Sequence, residues 1–182
     1  MDMVVIHYTA MATAEAARAR LSDPAAQVSA HYLIGRDGAL WALVAEDRRA
    51  WHAGLAAWAG ECDVNSRSIG IELDHPGEDE AGLAVPYPAA QVAALEALLA
   101  DLRARRAVPP ERVLGHACVA PGRKRDPGPA FDWRRLGRAG LAAWLDPPRA
   151  DTTPGDVGAF RAAGAGGGGP PPPPKTKHKK ER

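Results

Sequence analysis

The run Met3-Val4-Val5-Ile6-His7-Tyr8-Thr9 is β-branched and apolar at both odd and even positions. Such a strand has no solvent face, so it belongs inside a sheet covered on both sides. A second strand, Ser68-Ile69-Gly70-Ile71-Glu72-Leu73, alternates instead: Ile69, Ile71 and Leu73 share one face, and Ser68, Gly70 and Glu72 the other. Ser29 to Ile34 and Leu40 to Val44 flank Gly35-Arg36-Asp37-Gly38, a hairpin with a glycine-rich turn. Arg112 to His116 is a further strand. Helices are expected at Thr13 to Leu21, with Thr13 as N-cap, at Pro88 to Arg106, and at Trp133 to Leu145. In the longest of them Val92, Leu95, Leu99 and Leu102 form one stripe, with Leu98 beside it, and Pro109-Pro110 stops the helix. Strands alternating with helices predict an α/β fold: a single domain with a mixed central β-sheet flanked by α-helices.

That domain is expected to span residues 1–146 of the 182. From Pro147 the composition shifts to Asp, Thr, Pro, Gly and Ala, with four glycines at 166–169 and five prolines at 170–174. Such a stretch cannot bury enough apolar surface to order itself, so residues 147–182 read as a disordered tail with a basic end. The last eight residues carry five cations and one acid, a charge of +4, so the rest carries about −3 of the net +1. A body of that charge excludes nucleic acid as a partner by composition. Two cysteines, Cys62 and Cys118, are too few for a disulfide framework. No apolar stretch reaches the ~20 residues of a membrane span. The first strand begins at residue 3 with no signal peptide before it, which predicts a cytoplasmic protein; a true start lying upstream would move it to the periplasm or envelope.

His7 and His116 each close a short apolar run, and Asp126 sits in the rigid loop Pro121-Gly-Arg-Lys-Arg-Asp-Pro-Gly-Pro129. Two imidazoles and a carboxylate at the ends of structural elements suit an open zinc site, whose fourth position is left for water. Each of the three has a structural alternative, because they lie too far apart in sequence to form a local metal signature. Glu72 projects from the polar face of its strand, where a carboxylate is costly unless paired or functional. Its functional reading is a general base on the metal-bound water. Gly70, on the same face, leaves room for something to approach the backbone. Lys124 could stabilise an oxyanion, or could be one of three solvated charges with Arg123 and Arg125. Tyr8, Trp51 and His52 are candidate substrate contacts, with Trp51 either lining a sugar or peptide groove or plugging the core. Ala45 to Asn65 lacks periodicity and reads as a long loop, which at that length is usually functional or disordered. His31 reads as structural, and Cys118 as an inert thiol.

The segment from His116 to Trp133 resembles the signature of zinc N-acetylmuramoyl-L-alanine amidases of the AmpD and AmiD type. Val5 to Thr9, Ser29 to Leu33, Arg49 to Gly54 and Asn65 to Leu73 resemble the family's other blocks in the same order, and together the match covers about residues 3 to 146. The resemblance implies Zn²⁺ held by His7, His116 and Asp126, with Glu72 as catalytic acid/base and Lys124 as oxyanion stabiliser. It implies hydrolysis of the amide between the lactyl group of N-acetylmuramic acid and L-alanine, in muropeptides or peptidoglycan. The alternative is a non-catalytic muropeptide-binding module of the same fold; the intact third ligand and Glu72 argue against it. The chain is expected to work as a monomer. Three departures from the family pattern stand out. Ala117-Cys118 replaces the usual acidic residue near His116. The stretch that usually precedes the first strand is missing. The Gly/Pro/Lys tail has no family counterpart.

Overall fold

A computed structural model describes residues 1–145. The domain boundary expected at 146/147 and the disordered tail lie outside the described residues. Among those described, five strands form one sheet: β1 (Met3–Tyr8), β2 (Tyr32–Ile34), β3 (Leu40–Ala42), β4 (Ser68–Leu73) and β5 (Val113–Gly115). Their order is β3-β2-β4-β1-β5. β1 runs parallel to β4 and β5, β2 runs parallel to β4, and β3 closes the hairpin antiparallel to β2. The sheet is therefore mixed, as expected, with β1 and β4 at its centre. The helices are α1 (Ala14–Leu21), α2 (Val64–Arg67), α3 (Ala89–Arg106), α4 (His116–Val119) and α5 (Trp133–Arg138). Thr13 caps α1, its side chain accepting from the Ala16 N–H. No described helix is long and apolar enough to cross a membrane.

The two faces of the central strands feed different cores. Val4, Ile6, Ile69, Ile71 and Leu73 meet Leu95, Leu98, Leu99 and Leu102 of α3. Leu95, Leu99 and Leu102 are fully buried, each contributing roughly 1.5–3 kcal/mol. Met3 and Val5, on the other face, meet Ala53, Ala56, Val64, Leu114 and Val119. That second cover is made of the long loop and two short helices, so it carries less aliphatic bulk.

Two local expectations shift and one holds. Gln91 is buried on α3 where the stripe pointed to Val92, because its amide nitrogen donates to the Ile34 and Asp74 carbonyls at 2.9 and 3.0 Å. α3 ends at Arg106, as expected, where Ala107 takes a left-handed φ of 51° and its N–H closes on the Arg103 carbonyl. The last helix stops at Arg138 rather than Leu145. Gly140 turns the chain at φ 67°, and Trp144 returns over Gly137, where a Cβ would overlap it.

Candidate metal centre

Parallel pairing sets the centre. In the β1–β4 register His7 lies opposite Glu72, so both side chains leave the same face, beside Val5 and Gly70 and away from α3. β5 pairs on the other side of β1, with Ile6 opposite Gly115, and His116 follows as the first residue of α4. Asp126 comes from the loop after α4. The Ala117 N–H donates to the Asp126 carbonyl at 2.9 Å, and the Asp126–Pro127 peptide is cis.

These elements bring three donor atoms together. His7 Nδ1 lies 2.9 Å from His116 Nδ1, and each of the two lies 3.0 Å from Asp126 Oδ2. All three residues are buried, at 1, 3 and 7% exposure, and they form a group that could hold a metal ion. Burial drives the His7 pKa down to about 4 against the pull of Asp126, so the ring is neutral, as a ligand must be. His116 Nε2 sits 3.0 Å from the Ala53 carbonyl, which can only accept; in the neutral ring the proton is on Nε2 and Nδ1 presents a lone pair. An imidazole lone pair thus faces a carboxylate oxygen across 3.0 Å, with a second ring nitrogen beside both. Tetrahedral zinc with bonds of ~2.1 Å spaces its ligands about 3.4 Å apart, so a triangle of 2.9–3.0 Å edges fits after opening by a few tenths of an ångström. The donor set and its spacing fit zinc.

Glu72 stands beside this group. Its Oε2 is sealed from solvent and has no hydrogen-bond partner. Burial first, and then the negative charge of Asp126, push its pKa up to about 8, while the Lys124 cation pulls the other way. Lys124 is exposed at the rim, near enough for its charge to act on both His7 and Glu72. All eight residues singled out in the sequence, His7, Tyr8, Trp51, His52, Glu72, His116, Lys124 and Asp126, line one cavity of about 630 Å³. Trp51 is half-exposed on its wall, which Met11, Leu21 and Val28 also line.

Two sequence readings change. His52 lines the cavity, yet both its ring nitrogens have protein partners: Nδ1 faces His7 Nε2 at 3.0 Å and Nε2 faces Ser68 Oγ at 3.2 Å. As a polar substrate contact it has no free nitrogen. Arg123 is exposed but tethered, its guanidinium donating to the Ala53 and Leu55 carbonyls at 2.7 and 2.6 Å. Arg125 is exposed and pairs with Glu78 at 3.1 Å. His31 is structural, as read: its Nδ1 accepts from the Gly70 N–H and its Nε2 donates to the Arg48 carbonyl. Sequence reasoning missed Asn65, whose Oδ1 accepts from the His52 and Ala53 N–H groups at 3.1 and 2.8 Å. The available signal was a polar residue closing the aperiodic loop.

Comparison with known proteins agrees with this geometry. Residues 1–129 match the Amidase_2 family, described as N-acetylmuramoyl-L-alanine amidase. The chain is 42% identical over 161 residues to the N-acetylmuramoyl-L-alanine amidase AmiD of Escherichia coli strain K12, covering 83% of this chain and 57% of that protein. It is 45% identical over 110 residues to the 1,6-anhydro-N-acetylmuramyl-L-alanine amidase AmpD of Salmonella typhimurium, covering 60% of this chain and 56% of that protein. The chain thus spans little more than half the length of these curated relatives. Among solved structures, the complex of E. coli AmiD with anhydro-N-acetylmuramic acid-L-Ala-D-γ-Glu-L-Lys superposes with a TM-score of 0.75 at 40% identity, covering 90% of this chain and 63% of that one.

Proposed function

Given that the chain belongs to the Amidase_2 family of N-acetylmuramoyl-L-alanine amidases, we propose that it is a zinc hydrolase of muropeptides or peptidoglycan. The bond cleaved is the amide between the lactyl group of N-acetylmuramic acid and L-alanine. The observation that carries this reading is the convergence of His7 Nδ1, His116 Nδ1 and Asp126 Oδ2 beside the unpartnered Glu72 carboxyl.

His7, His116 and Asp126 would hold the zinc, which would supply Lewis acidity towards the lactyl carbonyl and lower the pKa of water towards neutrality. The protein does the rest. Glu72 takes the proton from the attacking water at its carboxylate and returns it to the departing L-alanine nitrogen. Its buried, raised-pKa carboxyl suits both halves of that task. Lys124 places a cation where negative charge develops on the carbonyl oxygen. Trp51 and Tyr8 line the cavity as flat surfaces for the sugar and peptide.

The test is zinc content by elemental analysis together with release of free peptide from an anhydro-muropeptide, followed by mass spectrometry. We expect about one zinc per chain, loss of turnover with a chelator, and its return with zinc. Folded, zinc-loaded protein that binds the muropeptide without releasing peptide would replace this reading with the binding module.

A further inference from the structure

We propose that the segment Trp51-His52-Ala53-Gly54, anchored from behind by Asn65 and Ser68, sets the tautomers of both histidine ligands. His52 is then a positioning residue for the metal rather than a contact for substrate. This rests on the zinc reading above and assigns to this loop the task of presenting two bare Nδ1 atoms to one ion.

Ser68 Oγ lies 2.6 Å from the Val64 carbonyl. A carbonyl only accepts, so the single hydroxyl proton points there. Ser68 Oγ must then accept from His52 Nε2, 3.2 Å away. In neutral His52 the proton is therefore on Nε2, and Nδ1 is a lone pair. That lone pair faces His7 Nε2 at 3.0 Å, so His7 must donate. His7 is left with its proton on Nε2 and a bare Nδ1 turned towards Asp126. One residue along the same loop, the Ala53 carbonyl accepts from His116 Nε2 at 3.0 Å, with the same consequence for His116.

The loop is held to do this. Asn65 Oδ1 accepts both the His52 and Ala53 N–H groups, fixing the peptide that carries both acceptors. Arg123 grips the Ala53 and Leu55 carbonyls from the other side. Gly70 is the space into which the His52 ring packs; a Cβ there would overlap the ring. The room that the sequence left beside Glu72 is thus taken by an imidazole of the protein. Partners that orient a ligand histidine commonly matter 10–100-fold in metal affinity. Here one such partner is a second histidine, whose own orientation is dictated two bonds further out by a serine.

The experiment measures zinc affinity by competition with a chromophoric chelator at neutral pH. It compares wild type, His52→Leu, His52→Asn and Ser68→Ala, each checked for folding by circular dichroism. His52→Leu removes the acceptor and should weaken zinc about 10–100-fold. His52→Asn can present its side-chain oxygen near the lost Nδ1 and should recover much of that loss. Ser68→Ala, which frees His52 to switch tautomer, should fall between wild type and His52→Leu. In ¹⁵N-histidine spectra of the metal-free protein, His7 should carry its proton on Nε2 in wild type and shift towards Nδ1 protonation in His52→Leu. Wild-type affinity in His52→Leu, or an Asn variant no better than Leu, would overturn the relay. Wild type that takes up no zinc would instead sink the metal reading itself.

Discussion

On the face of the sheet that meets α3, Val4, Ile6, Ile69 and Ile71 are fully buried aliphatics. One residue along, on the opposite face of the same two strands, stand His7, Ser68, Gly70 and Glu72. The first face works by area: its contacts are non-directional, and any side chain of similar volume would serve. The second gives up that area. His7, Ser68 and His116 are as buried as the aliphatics, but their desolvation is offset only through particular partners at particular atoms. Glu72 Oε2 lacks even that, having no protein partner to offset its burial. Substitution on the two faces should therefore fail in different ways, in stability on one and in chemistry on the other.

The sharpest way to break this contrast is to remove one group from the polar face. His116→Ala should lose both zinc and turnover. Glu72→Gln should keep zinc while losing about 10²–10⁴-fold in turnover, the usual contribution of a general base. Elemental analysis and a muropeptide assay on the two variants check it. A fully active Glu72→Gln enzyme would take Glu72 out of the reaction. Next in size is Lys124→Met. A cation that acts only on developing charge should lower kcat by about 10²–10³-fold with little change in KM. Arg125→Ala, which breaks only an exposed pair with Glu78, should stay near wild type. Arg123→Ala should lie between, because it releases the loop that holds His116. Equal, small losses at all three positions would reduce the cluster to surface charge.

The parity of β4 was legible, because a period of two is a local property: Ile69, Ile71 and Leu73 separate from Ser68, Gly70 and Glu72 on inspection. That Glu72 would stand opposite His7 was not legible from periodicity, since parallel register is set by pairing between residues far apart along the chain. The resemblance named the site residues but not what supports them. Arg123 and Arg125 are chemically identical, and only carbonyls from a loop some seventy residues earlier tell them apart. Nothing in the run Trp51-His52-Ala53-Gly54 marks His52 as a support, because its partners, His7 and Ser68, sit on two different strands. The last helix was overread because apolar content continues past the point where Gly140 turns the chain.

The aliphatic face offers the converse test. Leu99→Ala, at a fully buried position of α3, should cost about 2–5 kcal/mol of stability through the cavity it leaves. Turnover per folded, zinc-loaded molecule should hardly move. Urea denaturation and kinetics on the same preparation measure both. A large fall in kcat at preserved folding would mean that the two faces are coupled, and the division drawn above would fail.

The smallest effect expected is a gain. Burial lifts Glu72 from its ordinary 4.5 to about 8. Between those values the native chain holds a proton that the unfolded chain has released. The contribution of this group to stability is thus fully present below pH ~4.5 and is lost as pH climbs through about 8. Glu72→Gln removes the titration while keeping the shape. Metal-free Glu72→Gln should therefore match wild type in Tm near pH 5 and exceed it by several degrees near pH 8, given that ~1 kcal/mol moves Tm by roughly 2–4 °C at this chain length. His7 works in the opposite sense. Its pKa falls from 6.5 to about 4, so its contribution is present above pH 6.5 and lost as pH drops towards 4. Both proteins share that dependence, and it cancels in their difference. The measurement needs zinc removed, because a dication beside Glu72 would draw its pKa back down. A Tm difference that does not change with pH would mean that Glu72 is already ionised in the native protein, and that the polar face accommodates its charge as readily as water does.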